Sequence, residues 1–194
     1  MLELIFVSLG LSCVAGALSL VAGKTPAASK TIACVGGMAS AACAFIGGAG
    51  ALLGPAVHAS WAGPMAFASF TQLLNPLAGL LIAVISALAF AAWLYGLSYF
   101  DEYYEKGMGV IGFFMNLFIA SMNLVILADN AFWFLVFFEL MSLTSYVLVV
   151  IDQTEKSLRG GFLYLIMAHI GFLMIAISFF VMASAAGSLE FEAF

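Results

Sequence analysis

The feature that most constrains this chain is a series of six apolar stretches, each about as long as a helix that crosses a lipid bilayer. A spanning helix needs about 20 predominantly apolar residues, whereas a spanning strand runs about ten residues and alternates in polarity. These stretches are too long for strands and do not alternate. The sequence therefore predicts an all-α, polytopic transmembrane helix bundle. The predicted spans are Leu2–Val21, Thr31–Leu53, Pro76–Ser98, Met108–Leu127, Ala131–Ile151 and Ser157–Ala183.

The composition excludes several other classes of protein. Only 8% of the residues are charged while 65% are apolar, which leaves too few charges to cover a soluble surface. Ten acidic residues against five basic ones exclude a nucleic-acid binder. Cys13, Cys34 and Cys43 all fall inside the first two spans at spacings that match no zinc or iron–sulfur pattern. We expect them to be packing residues, and we expect no metal or cofactor site in this chain.

The positions of the basic residues predict the orientation in the membrane. Lys24 and Lys30 lie in the first connection, Lys106 in the third, and Lys156 and Arg159 in the fifth, and no other connection contains a basic residue. Cytoplasmic loops carry an excess of Lys and Arg. The sequence therefore predicts that both termini face outward and that these connections face the cytoplasm. The location of all five cations on one side also supports six spans, because one missed span would scatter the cations over both sides.

Three regions follow from this topology. Residues 1–75 hold two helices and an external loop, residues 76–107 a third helix and a cytoplasmic loop, and residues 108–194 three further helices. The external loop is apolar, and we expect it to form interfacial or short extended structure anchored by Trp61.

Three polar side chains on the outer side are predicted to be ordinary solvated groups. His58 has no second ligand-type residue near it along the chain, which argues against a metal site. Glu190 and Glu192 lie close to residue 194, beyond the last span. Solvated loop ends are the expected positions for such residues.

The strongest functional signal is a carboxylate far from any helix end. Glu139 lies nine residues after Asn130, which places it roughly 13 Å below the outer end of its span. A carboxylate at the centre of the bilayer costs at least about 2.5 kcal/mol on insertion scales, so such a residue is functional by default. Glu139 is therefore the principal candidate for a proton pathway.

Spacing identifies candidate partners of this carboxylate. Ser142 and Tyr146 follow Glu139 by three and seven residues and so share its helix face. Glu139 precedes Asp152 by thirteen residues, and His169 follows Lys156 by thirteen. Because spans five and six form an antiparallel hairpin, Glu139 and His169 are predicted to lie at the same depth, where they would make a proton relay.

Two asparagines in the fourth span are weaker candidates. Asn116 and Asn123 are seven residues apart and share one helix face. They line the same proton pathway or hydrogen-bond between helices, and both interpretations stay open, as a structural role does for His169. No nucleophile–base–acid triad is present, so hydrolytic chemistry is disfavoured.

The second half of the chain resembles a known family. Residues 112–122 (GFFMNLFIASM), 128–134 (ADNAFWF) and 138–146 (FELMSLTSY) are similar to the proton-conducting membrane transporter family. This family contains the antiporter-like subunits of respiratory complex I, the Mrp-type cation/proton antiporters and the membrane subunits of group 4 NiFe hydrogenases. The resemblance is strongest to the hydrogenase-4 type, which shares a loop like Tyr104–Gly107, a pair like Ala168-His169 and an ending like Gly187–Phe191.

The resemblance implies a function and a set of partners. Glu139 would be an essential proton-pathway residue in a proton- or cation-translocating subunit of a group 4 hydrogenase or complex I-like assembly, in the inner membrane. Other membrane and hydrophilic subunits would hold the redox centres. Family members have about fourteen or more helices arranged as inverted repeats, so the chain would be an N-terminal fragment or a split product, with the lysine partner of Glu139 beyond residue 194. The alternatives are a truncated membrane scaffold that transports nothing and an Mrp-type sodium/proton antiporter subunit.

Overall fold

The structure, a computed structural model, describes residues 1–63, 69–101, 103 and 107–194. Six helices in this part of the chain are long and apolar enough to cross a membrane, which confirms the predicted helix bundle. The helices are α1 (Leu2–Val21), α2 (Pro26–Ala51), α3 (Pro76–Tyr99), α4 (Met108–Leu127), α5 (Ala131–Val149) and α6 (Glu155–Ala186). An antiparallel hairpin of β1 (Val57–Trp61) and β2 (Phe70–Leu74) connects α2 to α3.

Two helices begin earlier than the apolar pattern predicts. α2 begins at Pro26 rather than Thr31, because a proline fits the first position of a helix and the polar first turn follows it. α6 begins two residues before Ser157, where the Thr154 hydroxyl accepts a hydrogen bond of 3.1 Å from the Ser157 amide. α6 ends at Ala186, and the Gly187 that follows has a φ of 72°. A span predicted from hydropathy alone ends at such polar turns, whereas the helices continue through them.

The first four helices form the packed part of the bundle. Its core includes the fully buried Trp93, which packs against Gly37, and the buried Cys34, whereas Cys13 lies on the bundle surface. Gly48 of α2 and Gly79 of α3 meet so closely that a Cβ on either would lie 2.7 Å from the other's carbonyl oxygen. Small residues permit this backbone contact in a membrane.

α5 and α6 lie at the edge of this bundle. Between 39% and 44% of the membrane segment is buried in each of the first four helices, but only 22% in α5 and 6% in α6. The seam between α5 and α6 is therefore the least enclosed helix contact of the described structure.

The α1–α2 and α3–α4 connections lie at the same end of the bundle, as the orientation prediction requires. The Lys30 ammonium at the start of α2 donates hydrogen bonds to the Asp101 carboxylate (2.5 Å) and the Leu97 carbonyl (2.9 Å) at the end of α3. Lys106 and the Tyr104–Glu105 part of the loop motif lie outside the described residues. The outward position of both termini stays a prediction.

The external hairpin has the extended structure expected of this loop. The Trp61 ring, which was expected to anchor the loop, packs edge-on against Phe6 with 5.3 Å between ring centroids. Gln72 of β2 also forms a bridge with Ala128, just after α4. The hairpin therefore lies over the connection between α4 and α5.

Candidate proton-transfer site between α5 and α6

The centre of the α5–α6 seam holds a carboxylate and an imidazole in direct contact. Glu139 Oε1 and His169 Nε2 are 2.8 Å apart, and their side chains are 26% and 42% exposed. The antiparallel hairpin thus brings together the two residues for which equal depth was predicted. This distance is short enough for direct proton transfer.

The second ring nitrogen of His169 fixes how many protons this pair holds. His169 Nδ1 lies 2.9 Å from the Leu165 carbonyl oxygen, one turn earlier in α6. A carbonyl only accepts hydrogen bonds, so Nδ1 must carry a hydrogen. The Nε2–Oε1 contact then needs one further proton, which belongs either to an imidazolium beside a carboxylate or to a carboxylic acid beside a neutral imidazole. When the contact is hydrogen-bonded, the two residues therefore share a single proton.

The second carboxylate oxygen of Glu139 has an open hydrogen-bonding site. Glu139 Oε2 is buried and has no hydrogen-bond partner among the described residues. Buried polar atoms are almost always hydrogen-bonded, so this oxygen needs a water molecule or a group from outside the described residues. Oε2 is thus the available position for a proton to leave or reach the pair.

The two sides of the pair along the seam differ in polarity. Towards the outer end, α5 and α6 are held together by aromatic rings, with the Phe138 and Phe172 centroids 6.4 Å apart and those of Phe134 and Phe179 5.4 Å apart. Towards the other end, the Ser145 and Tyr164 hydroxyls form a hydrogen bond of 2.5 Å. Hydroxyls support water and proton transfer, whereas stacked rings exclude water. The seam is therefore apolar on the predicted outer side of the pair and polar on its predicted cytoplasmic side.

Sequence reasoning missed Tyr164. Ser145 lies six residues after Glu139, and Tyr164 lies five residues before His169. To within one residue, the offset that pairs Glu139 with His169 therefore also pairs Ser145 with Tyr164. The same hairpin argument, applied to every polar residue of α5, would have found this contact.

The other predicted site residues of α5 do not hydrogen-bond to Glu139. Ser142 is buried and its hydroxyl donates to the Phe138 carbonyl at 3.1 Å, one turn back in its own helix. Tyr146 is half-buried and packs beside Gly161 of α6. Both lie on the predicted helix face, and their part in a pathway stays a prediction.

The two asparagines of α4 belong to a different interface. The Asn116 amide donates to the Gly112 carbonyl (2.9 Å) and to the Ala33 carbonyl of α2 (3.5 Å). The side-chain oxygens of Asn116 and Asn123 are buried and have no hydrogen-bond partner in the described part of the chain. Asn116 thus faces α2 rather than the Glu139–His169 pair, and the role of both asparagines stays a prediction.

A second polar cluster lies at the outer end of the bundle, where solvated side chains were expected. Glu190 accepts hydrogen bonds from the Ser69 hydroxyl, from the Thr71 hydroxyl (2.6 Å) and from the Asn130 amide (3.0 Å). The prediction of a solvated Glu190 was therefore wrong, because the hairpin brings together residues about 120 positions apart in sequence.

His58 is not isolated either. Its Nδ1 lies 3.7 Å from Oδ2 of Asp129, which belongs to the α4–α5 connection. Burial raises the pKa of the Asp129 carboxyl; His58 lowers it, and Glu192 and Glu190 raise it further. This contact could not be predicted, because His58 and Asp129 are far apart in the sequence.

The candidate pair lies within a segment that matches a family model. Residues 128–194 match the model described as "NADH:quinone oxidoreductase/Mrp antiporter, TM". This match covers α5, α6 and therefore both members of the pair. This segment of the chain therefore carries the transmembrane domain of that family.

Relatives of this antiporter family match a larger part of the chain. Hydrogenase-4 component B of Escherichia coli (strain K12) is 44% identical over 141 residues, which are 73% of this chain and 21% of that protein. The chain thus spans about a fifth of the length of that relative.

Solved structures of membrane complexes share the fold. A chain of the Mrp complex from Dietzia sp. DQ12-45-1b matches 96% of this chain with a TM-score of 0.79 at 19% identity, over 20% of its own length. A chain of the membrane-bound sulfane sulfur reductase, an archaeal respiratory membrane complex, matches 96% of this chain with a TM-score of 0.77 at 16% identity, over 38% of its own length. These likenesses extend the shared fold to almost every residue of the chain.

Proposed function

We propose that this chain is part of a proton-translocating membrane subunit of a hydrogenase-4-type or complex I-like redox assembly. The observation that carries the proposal is the direct contact between Glu139 and His169, at a depth that the sequence predicts to be near the middle of the membrane. The relationship to hydrogenase-4 component B favours a redox host. Other subunits, both membrane and hydrophilic, would hold the redox centres, and the assembly would reside in the cell inner membrane.

The geometry supports a simple sequence of proton steps. A proton arrives from the polar side of the seam, along the Ser145 and Tyr164 hydroxyls and intervening water, and is taken up at the pair. It moves between His169 Nε2 and Glu139 Oε1 across 2.8 Å. Rotation of the protonated carboxyl group then carries the proton to the open Oε2 position, from which it leaves to an acceptor outside the described residues. Each step transfers one proton between neighbouring oxygen or nitrogen atoms.

The remaining predicted residues have supporting roles in this proposal. Ser142 and Tyr146 control the access of water to Glu139 from its own helix face. The open side-chain oxygens of Asn116 and Asn123 accept hydrogen bonds from water deeper in the bundle. Either role leaves the charge of these residues unchanged.

The proposal is tested by measuring ion movement in the complete complex reconstituted into vesicles. We expect that adding the electron donor acidifies or alkalises the vesicle lumen, read by a pH-sensitive dye, with sodium replaced by choline. Ion exchange that needs an imposed sodium gradient and no electron transfer would favour the Mrp-type antiporter. Electron transfer without any ion movement would favour the scaffold, and both outcomes would contradict the proposal.

Substitutions at His169 test the relay in the same assay. His169→Ala should slow proton movement several-fold, because a water molecule can enter the vacated space and replace the imidazole in part. His169→Leu should be slower still, since it fills that space with an apolar group. Met167→Ala, on the exposed surface of α6, is the matched control and should leave the rate unchanged. Wild-type rates in both His169 variants would show that this residue only packs the hairpin.

A further inference from the structure

The segment after α6 folds back over the start of α5. The Ala131 amide donates a hydrogen bond to the Leu189 carbonyl (2.9 Å), and the Phe191 amide donates to the Asp129 carbonyl (3.3 Å). This pairing is an antiparallel bridge. The Asp129 amide in turn donates to the Thr71 carbonyl of β2 (3.1 Å). Three segments therefore meet at the outer end of the α5–α6 seam: β2, the α4–α5 connection and the segment after α6.

The Glu190 side chain joins these three segments. Its carboxylate accepts hydrogen bonds from the Ser69 hydroxyl, the Thr71 hydroxyl (2.6 Å) and the Asn130 amide nitrogen (3.0 Å). We call these four residues the outer clamp. Asn130 is also the N-cap of α5, where its side-chain oxygen accepts a hydrogen bond of 2.9 Å from the Phe132 amide. Glu190 is thus bonded directly to the residue at which α5 begins.

Aromatic rings connect the outer clamp to the Glu139–His169 pair. The Phe191 ring, which follows Glu190, packs against Phe134 of α5 and Phe179 of α6, with 6.0 Å and 5.4 Å between ring centroids. Phe134 stacks on Phe138, one turn further along α5, at 6.1 Å. Phe138 directly precedes Glu139. A continuous series of contacts therefore runs from the outer clamp to the pair.

The two halves of the seam are held together differently. On the inner side of the pair, residues 150–154 join the two helices, and the Ser145 and Tyr164 hydroxyls are hydrogen-bonded. On the outer side, ring contacts join α5 to α6. Aromatic pairs are favourable over centroid distances of about 4.5–7 Å, so they tolerate small displacements. Hydrogen bonds to a carboxylate are short and directional, so the outer clamp supplies the register that the rings leave free.

We propose that Glu190 is a positioning residue for the Glu139–His169 pair. Through the outer clamp it holds the start of α5 against the end of α6, and so keeps Glu139 Oε1 at 2.8 Å from His169 Nε2. This inference rests on the proposed proton-transfer function of the pair. A displacement of about 1 Å at a reacting centre can cost about a hundredfold in rate. A small loss of register at the outer end is therefore enough to slow proton transfer.

Proton movement by the complete complex in vesicles gives the first measurement. Glu190→Ala removes all three hydrogen bonds and should slow translocation about tenfold or more. Glu190→Gln keeps an acceptor oxygen for Asn130 and an amide that can donate to Thr71, so it should recover most of the wild-type rate. Thr71→Val removes one donor with almost no change of shape and should cause a smaller loss, which tests the clamp even if Glu190→Ala does not assemble. Glu192→Ala removes an exposed carboxylate two residues further on and should keep the wild-type rate.

The distance between α5 and α6 gives the second measurement. Val136 and Leu173 are exposed on the bundle surface, each about one turn to the outer side of the pair. Nitroxide labels on Val136→Cys and Leu173→Cys, in the complex without its other reactive cysteines, report this distance through the dipolar broadening of their spectra. The broadening should decrease in Glu190→Ala, return in Glu190→Gln and stay unchanged in Glu192→Ala.

A double variant separates positioning from a general effect on stability. In His169→Ala a water molecule already replaces the imidazole, so the distance between the two side chains no longer limits the rate. Glu190→Ala should therefore slow translocation much less in the His169→Ala background than in the wild type. An equal loss in both backgrounds would overturn the proposal.

Three further outcomes would overturn the role of Glu190. They are a wild-type rate and wild-type broadening in Glu190→Ala, a lower rate with unchanged broadening, and a larger distance with an unchanged rate, because a positioning residue must change both quantities. A wild-type complex that moves no protons would instead refute the proposed function. Failure of this inference in a complex that translocates protons is therefore distinguishable from failure of the proposed function.

Discussion

Glu139→Gln is expected to abolish proton translocation by the complete complex while leaving its assembly intact. Glutamine has nearly the same size and keeps a hydrogen bond to His169, but its amide cannot take up or release the shared proton. Glu139→Asp keeps the carboxyl group but withdraws it by one methylene, which lengthens the 2.8 Å contact, so partial activity should remain. The measurement is dye-monitored proton movement at matched protein content.

A second carboxylate provides the control for this substitution. Glu155 at the start of α6 pairs with Arg159 at 2.6 Å, and both side chains are about 80% exposed. Glu155→Gln removes the same charge outside the membrane core and should translocate protons at the wild-type rate. Normal translocation by Glu139→Gln would show that the Glu139 carboxyl is structural.

Gly48→Ala is expected to lower the stability of the protein by about 1–3 kcal/mol, the usual cost of overpacking. The new Cβ would lie 2.7 Å from the Gly79 carbonyl oxygen and 2.9 Å from the Ala83 amide nitrogen. Both atoms belong to the α3 backbone and cannot rotate away, so α2 and α3 must separate. Denaturant-induced unfolding of the full-length protein in micelles gives the measurement.

Gly10→Ala is the matched control for this prediction. Nothing lies within 4 Å of a Cβ built at Gly10, also in the middle of a membrane helix. Alanine there should leave the free energy of unfolding unchanged or raise it slightly, since glycine weakens a helix by about 0.5–1 kcal/mol. Equal stability of the two variants would mean that the α2–α3 contact is not tight.

The parts of the molecule that sequence could predict are those that depend on hydropathy and short connections. The spans of α1 and α4 match their predicted bounds, because their ends coincide with the ends of the apolar runs. The contact between Glu139 and His169 was predictable because a short loop joins two antiparallel helices and fixes their relative depth. Residues at equal distances from the loop on the two helices therefore lie side by side.

The features that sequence could not predict depend on contacts between distant segments. His58, Asp129 and Glu190 meet only because the β1–β2 hairpin folds over the α4–α5 connection. No periodic pattern relates a hairpin residue to one far along the chain. The contact of Asn116 with α2 likewise depends on the rotation of α4 about its own axis. The seven-residue spacing of the two asparagines does not determine that rotation.

The hydrogen bond from His169 Nδ1 to the Leu165 carbonyl also determines how the proton site responds to membrane voltage. While the pair shares one proton, its net charge is zero whether that proton is on His169 or on Glu139. The proton moves about 1 Å between the two atoms, compared with a hydrocarbon core of about 30 Å. A full membrane crossing is worth about 2.3 kcal/mol per 100 mV, so this step senses only about 0.1 kcal/mol per 100 mV. Any strong voltage dependence of translocation must therefore arise in the steps that bring the proton to the pair or remove it.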